Sequence, residues 1–264
     1  MGNQSTPVKQ KIRRLYYDLE VSPNVVLAWR AGYDLSIPYD SIISERKIIC
    51  IGYLWDEDVK PHVLTWDKNQ DDKELLKEFV EIANQADELV AHFGDRFDIK
   101  WFRTRCLFHK LPPLPDYKTI DTKSLASKLF YFNSNKLNYL SDFLGHGKKL
   151  ETKFDLWKDI LLHNDKDSLA YMAKYCGIDC VRLRSVHRDL AKYAKPKTHA
   201  GVLAGGDKWQ CPRTGTTNVI KSKTRVTAAG TIAHQMKSLV DGSYFQISDT
   251  AYRSYLAAKK KPTK

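Results

Sequence analysis

The chain has 264 residues, 42% of them hydrophobic and 28% charged, a balance that supports a sizeable packed core and excludes wholesale disorder. No apolar run reaches the roughly 20 residues that a bilayer crossing needs, and the polar residues 1–11 lack a signal peptide's apolar centre. A cytoplasmic protein, or one held with nucleic acid in a nucleoid or nucleus, is therefore expected rather than a secreted or membrane one.

The formal charge of +12 is unevenly placed: up to Val186 there are 28 Lys and Arg against 27 Asp and Glu, and from His187 onward 15 against 4. A balanced first part followed by a strongly basic last part suggests a polyanion-gripping segment joined to a separate domain. Five cysteines, Cys50, Cys106, Cys176, Cys180 and Cys211, are an odd number without regular spacing, which argues against a disulfide framework. Cys176 and Cys180 read as two small buried thiols on one helix face.

In chain order, Arg13 to Glu20 is aromatic and aliphatic and predicts a first strand, with Val25 to Arg30 as its hairpin partner across a Ser22-Pro23-Asn24 turn. Lys47 to Trp55 and His62 to Trp66 follow as further strands. From Asp71 the period changes: Leu75, Leu76, Phe79, Val80 and Ile82 recur at helical spacing. Glu88 to Phe93 predicts a buried strand and Phe97 to His109 a helix, stopped by Leu111-Pro112-Pro113-Leu114-Pro115. Tyr117 to Asp121 is a brief strand feeding a helix from Thr122 to Phe130, and Ser134 or Asn135 caps another over Lys136 to Leu144. A long amphipathic pattern runs from Asp167 to Tyr193. These elements make an α/β domain, a mixed sheet flanked by helices, and after Pro196 the texture shifts to short strand-like pieces, glycines and basic residues. The expected organisation is a flexible N-terminus over 1–11, the α/β domain over 12–195, a small basic β module over 196–258 and a basic tail over 259–264.

Four stretches carry chemistry. Asp18 and Glu20 share one face of the first strand while Leu19 points to the other; two carboxylates on an apolar strand repel unless a cation holds them, although a strand end can also send its acids into solvent. Asp98 stands in the first turn of the helix after the fourth core strand, a place where acids also serve simple charge complementarity. Asp121 reads as a helix cap and a supporting residue. Tyr175 and Asp179, four apart, share a face of the long helix, a spacing that core packing uses as well.

Taken together and in this order, Asp18, Glu20, Asp98, Tyr175 and Asp179 resemble the DEDD (DnaQ-like) exonuclease superfamily of ribonuclease H-like fold. The Tyr-x-x-x-Asp form of the last motif is similar to the DEDDy subgroup. The resemblance spans about residues 12–193 and includes Leu89-Val90-Ala91-His92, Phe97 to Phe102, Thr119 to Thr122 and Ser134 to Leu140. Many relatives carry Asn after the histidine of the second motif, where this chain has Phe93. The resemblance implies a 3′→5′ exonuclease acting on DNA or RNA with a free 3′ end. Two divalent cations, magnesium or manganese, would be held by Asp18, Glu20, Asp98 and Asp179, with Tyr175 orienting the attacking water and Leu19 wedging against the terminal base. The alternatives are a silent nucleic-acid-binding or scaffold protein, or a proofreading subunit beside a separate polymerase; the intact acid set favours the enzyme.

In the basic part, Cys211-Pro212-Arg213-Thr214-Gly215 resembles half of a zinc-ribbon knuckle without its second cysteine. Met236 and Leu239 stand where later cysteines would be. One thiol cannot supply the four ligands of a structural zinc, so no zinc is expected, and Met236 and Leu239 are expected to fill the former metal site. A flexible basic tail is the competing reading. Lys208, Arg213, Lys221, Lys223, Arg225, Lys237 and Lys259-Lys260-Lys261 are candidate phosphate contacts, with Trp209, Tyr244 and Phe245 as candidates for base stacking.

Overall fold

Arg14–Val21 forms β1, whose residues alternate between two apolar layers: Leu15, Tyr17 and Leu19 face one way, and Tyr16 faces the other. The computed structural model describes residues 11–32, 34–147 and 152–260; these divide into two units, residues 13–193 and residues 194–260 with 11 and 12. Expectations placed on residues 1–10 and on Lys261 lie outside the described residues.

After β1 come β2 (Val25–Val26), β3 (Ile42–Ser44), β4 (Ile48–Trp55), β5 (His62–Thr65), α1 (Lys73–Ala83), β6 (Glu88–Ala91) and α2 (Asp98–Phe108). Then follow β7 (Thr119–Asp121), α3 (Thr122–Leu129), α4 (Leu137–Phe143), α5 (Asp155–His163) and α6 (Lys166–Leu190). The main sheet has the order β5-β4-β1-β6-β7; β1 is antiparallel to β4 and parallel to β6, and β7 extends the parallel side. The expected hairpin between β1 and Val25 to Arg30 does not form. Val25 and Val26 pair instead with Ile42–Ser44, and β1 lies between two strands that bury it. β4 offers β1 an eight-residue partner with Ile48, Ile49 and Ile51 fully enclosed, whereas β2 offers two half-buried valines.

One face of the sheet is covered by α1 and α2. Tyr17 meets Phe79 at 5.5 Å between ring centroids, and Phe79 meets Phe102 edge-on at 5.0 Å. The other face packs against α6, where Tyr16, Leu54 and Val90 enclose Cys180 and Leu183. α5 was not expected from the sequence, although Leu156, Trp157, Ile160 and Leu161 repeat on one side of it and pack on the main core.

The second unit contains α7 (Ala200–Leu203), β8 (Val219–Val226), β9 (Ile232–Ser238), β10 (Tyr244–Ser248) and α8 (Asp249–Lys260). Its sheet is antiparallel in the order β10-β9-β8. Trp209, Cys211, Val219, Met236, Ile247 and Tyr255 form its core. Met236 is fully buried there, but Leu239 is 50% exposed, which corrects the expectation that both fill a former metal site. β9 ends at Ser238, so Leu239 already belongs to the turn, its N–H donating to Asn218 O; the hydroxyl of Ser243 lies 3.8 Å from the Cys211 sulfur. Residues 249–260, expected as the end of the β module and the start of a basic tail, form α8 and cover one face of the sheet.

Candidate active site

The α6 face of β1 carries Asp18 and Glu20, both half-buried. Asp18 pairs across the sheet with Gly52, and that glycine sets how closely α6 can approach. A Cβ built on Gly52 would lie 3.0 Å from the Cys176 carbonyl oxygen and from the sulfurs of Cys176 and Cys180. The Gly52 N–H donates to Cys176 Sγ at 3.1 Å, and that thiol lies 3.3 Å from the Asp18 carbonyl oxygen. The two small thiols and the glycine thus let a 25-residue helix settle onto the strand that bears the acids. Asp179 and Tyr175, one turn apart on α6, are both buried.

Asp98 opens α2 and is 2% exposed. β6 pairs with β1 only as far as Tyr16; beyond that point the Leu19 N–H donates to Asp98 Oδ1 at 3.3 Å. The loop that delivers Asp98 is tight. A Cβ on Gly94 would fall 2.4 Å from that of Ala91, and Phe93 takes a positive φ of 69°, a region that asparagine tolerates better than phenylalanine. The ring of Phe93 is stacked by the Lys123 ammonium at 3.9 Å.

The electrostatics follow from this crowding. Burial, then the charges of Asp98, Glu20 and Asp179, hold the Asp18 carboxyl well above the ordinary carboxylate range. Asp98 is pushed up to about 7 by burial, against the N–H groups of its own residue and of Leu19 that favour its anion, with Glu20 and Asp121 adding repulsion. A compensating cation is present at Asp179, where Arg182 Nη1 lies 3.1 Å from Oδ1. Sequence reasoning missed Arg182, although its i,i+3 spacing from Asp179 was visible.

The remaining site expectations separate. Leu19, expected to wedge against the terminal base through its backbone and side chain, is 3% exposed and packed in the core. Strand alternation turns it to the face opposite Asp18, and what it contributes here is a backbone N–H. Asp121 is a cap, as expected: its Oδ1 accepts from Lys123, Ser124 and Phe93 N–H groups at 2.9, 3.1 and 3.0 Å, and its buried Oδ2 has no hydrogen-bond partner. His92 bridges Thr122 Oγ1 and Asn135 O, each at 2.9 Å, a structural tie the sequence did not signal.

In the second unit, Trp209 is 6% exposed and Phe245 packs on the same core, whereas Tyr244 is 56% exposed. Arg213 donates to Ala194 O at 3.0 Å and lies 3.6 Å from Asp241, the pattern of a structural arginine. Lys221 lies over the Tyr252 ring at 5.1 Å. Lys208, Lys221, Lys223 and Arg225 are exposed, and Lys237 is half-buried.

No three of Asp18, Glu20, Asp98 and Asp179 bring ligand atoms within 4.8 Å of one another; among the described residues only Asp71, Asp72 and His109 do. In that second cluster the buried Asp72 already has a cationic partner. Asp72 accepts two hydrogen bonds from Arg105, at 2.7 and 2.8 Å, and one from the Ile48 N–H at 2.9 Å. His109 Nε2 lies 2.6 Å from Asp72 Oδ1 and 3.3 Å from Arg105 Nη2, so that nitrogen is already engaged within the network. In the first cluster Asp98 is enclosed and Asp18 half-buried, and the charges of the other acids bear on Asp18. Carboxylate oxygens are the ligands that hard divalent cations take, and two such ions about 3.5–4 Å apart spread their ligands over a wider span than one ion does.

A mixed five-stranded sheet with helices on both faces is the ribonuclease H-like architecture. The chain belongs to the RNase_H superfamily, whose family model matches residues 43–191. That span includes Asp98, Tyr175 and Asp179 and begins after β1. No curated protein is similar in sequence. The fold is similar to that of the family B DNA polymerase from the hyperthermophilic archaeon Pyrobaculum calidifontis, with 13% identity and a TM-score of 0.52 over 74% of this chain and 26% of that one. At that identity the likeness concerns the fold, and this chain spans about a quarter of the polymerase's length. Among the described residues no helix is long and apolar enough to cross a membrane.

Proposed function

We propose that this protein is a 3′→5′ exonuclease that hydrolyses phosphodiester bonds at the 3′ ends of DNA or RNA with two divalent cations, magnesium or manganese. The observation that carries this reading is the half-buried Asp18 on β1 with the enclosed Asp98 beside its strand and Glu20 and Asp179 nearby, each raising the cost of ionising Asp18. Such an arrangement is unfavourable in a bare protein and becomes favourable once cations enter.

Asp18, Glu20, Asp98 and Asp179 would hold the cations. These supply a more acidic water and charge neutralisation at the phosphate when bound. The protein's own part is positional. The Leu19 N–H fixes one Asp98 oxygen, Arg182 fixes one Asp179 oxygen, and Gly52 keeps α6 close enough for both strand and helix to share a site. Tyr175, a turn before Asp179 on α6, would orient the attacking water through its phenol.

The test is a time course on DNA and RNA oligomers labelled at either end, with magnesium, manganese or chelator. Stepwise shortening from the 3′ end that stops with chelator and with Asp98→Ala is expected. Release from the 5′ end, or hydrolysis undiminished in Asp98→Ala, would overturn the assignment.

A further inference from the structure

The sheet of the second unit has one covered face and one open one. Cross-strand register places Val219, Lys221 and Thr224 of β8 beside Ser238, Met236 and His234 of β9, and Phe245 and Ile247 of β10 continue that face. It is the covered side. Met236 and Ile247 are in the core with Tyr255 of α8, His234 stacks on Tyr252 at 3.9 Å, and Lys221 lies over the same ring.

The opposite face carries Ile220, Lys223 and Arg225 from β8, Lys237 from β9, and Tyr244 and Gln246 from β10. A register shift between Lys221 and Lys223 makes this possible. In an unbroken strand Lys221, Lys223 and Arg225 would share one face; the extra residue, Ser222, turns the last two to the other side. There they join Lys237, whose ammonium lies 5.6 Å from the Tyr244 ring.

No Asp or Glu occurs in any of the three strands. The nearby acids are engaged elsewhere, Asp241 with Arg213 and Asp249 with His234 and Arg253. The open face therefore presents three cations without an acid, beside one exposed aromatic ring and one exposed isoleucine.

We propose that this open face binds single-stranded nucleic acid, with Lys223, Arg225 and Lys237 on successive phosphates and a base stacked on Tyr244. Cations interleaved with an aromatic ring on a flat sheet suit a strand whose bases are free to stack. Three cations on a sheet whose strands hold no acid suit a polyanion better than an ordinary protein partner. This site goes beyond hydrolysis at the carboxylates and does not depend on it.

The test measures binding of the full chain to labelled oligothymidylate, oligouridylate, a DNA duplex and polyglutamate across a salt series. Lys223→Ser with Arg225→Ser should weaken single-strand binding about tenfold or more and lower the logarithmic salt slope by about 1–1.5. Lys221→Ser, a comparable charge change on the covered face, should do much less than Lys223→Ser alone. Tyr244→Ala should weaken single-strand binding about tenfold while sparing the duplex. All binding is measured in chelator, where the proposed hydrolysis is silent, which separates this site from the proposed hydrolytic one. The proposal is overturned if Lys221→Ser and Lys223→Ser weaken binding alike, if the Lys223/Arg225 variant binds unchanged while folded by circular dichroism, or if duplex or polyglutamate binds as well as the single strands.

Discussion

Two acidic clusters, each centred on buried carboxylates, stand in the same α/β unit, and they are opposites. Asp72 is fully enclosed, yet Arg105, His109 and the Ile48 N–H surround it. Burial would raise its carboxyl, but those partners hold it below the ordinary range. Asp18 and Asp98 face other carboxylates instead, and their carboxyls are held up. Burial of an acid is therefore no sign of function by itself. A compensated carboxylate ties elements together, here α1, α2 and β4, while an uncompensated one is kept for something that binds.

The sharpest way to break the comparison is to remove one acid from each cluster. Asp72→Ala strands the buried Arg105 guanidinium, and a loss of about 3–5 kcal/mol is expected, measured by urea unfolding; a loss under about 1 kcal/mol would show the network to be dispensable. Asp98→Ala should lower hydrolysis at least about a hundredfold and leave the chelated protein as stable as the parent or more so, since a repulsion is gone. Lower stability in chelator would mean that Asp98 is held by compensating contacts after all.

A third change sharpens the picture from the packing side. Gly52→Ala forces a methyl against the Cys176 carbonyl and two sulfurs, so α6 must shift, at about 1–3 kcal/mol, with hydrolysis reduced more than stability alone explains. Equal activity per folded molecule would detach the helix–strand spacing from the site.

The clusters should also differ in sign with pH. The folded value of Asp72 lies below the unfolded one of about 3.9, so its contribution is complete above that pH and fades as pH falls through the folded value. The folded value of Asp98 is raised to about 7. Its neutral form is favoured in the fold, so in chelator stability falls as pH rises from about 4 towards 7. Unfolding curves of Asp98→Asn in chelator should show a shallower decline, with Asp18, also held up, supplying what remains; an undiminished decline would assign it to groups other than Asp98.

Much of this was legible in the chain. Alternation in Arg14–Val21 put Asp18 and Glu20 on one face, and helical spacing put Tyr175 beside Asp179. The same alternation turned the Leu19 side chain to the core. What was not legible depends on distant partners. Nothing local says that β1 pairs with β4 and β6 rather than with Val25 to Arg30. Nor does the sequence mark Gly52 as the contact for α6, or Arg105 as the partner of Asp72. The second unit shows the same limit. Its cations were visible, but the bulge at Ser222 that sorts them onto two faces exists only once β8 and β9 are paired.

The central claim is tested most directly by counting bound manganese with electron paramagnetic resonance on the parent, Asp98→Asn and His109→Gln. About two ions per parent chain are expected, unchanged in His109→Gln and lost or sharply weakened in Asp98→Asn. Binding that survives Asp98→Asn and disappears in His109→Gln would contradict the account.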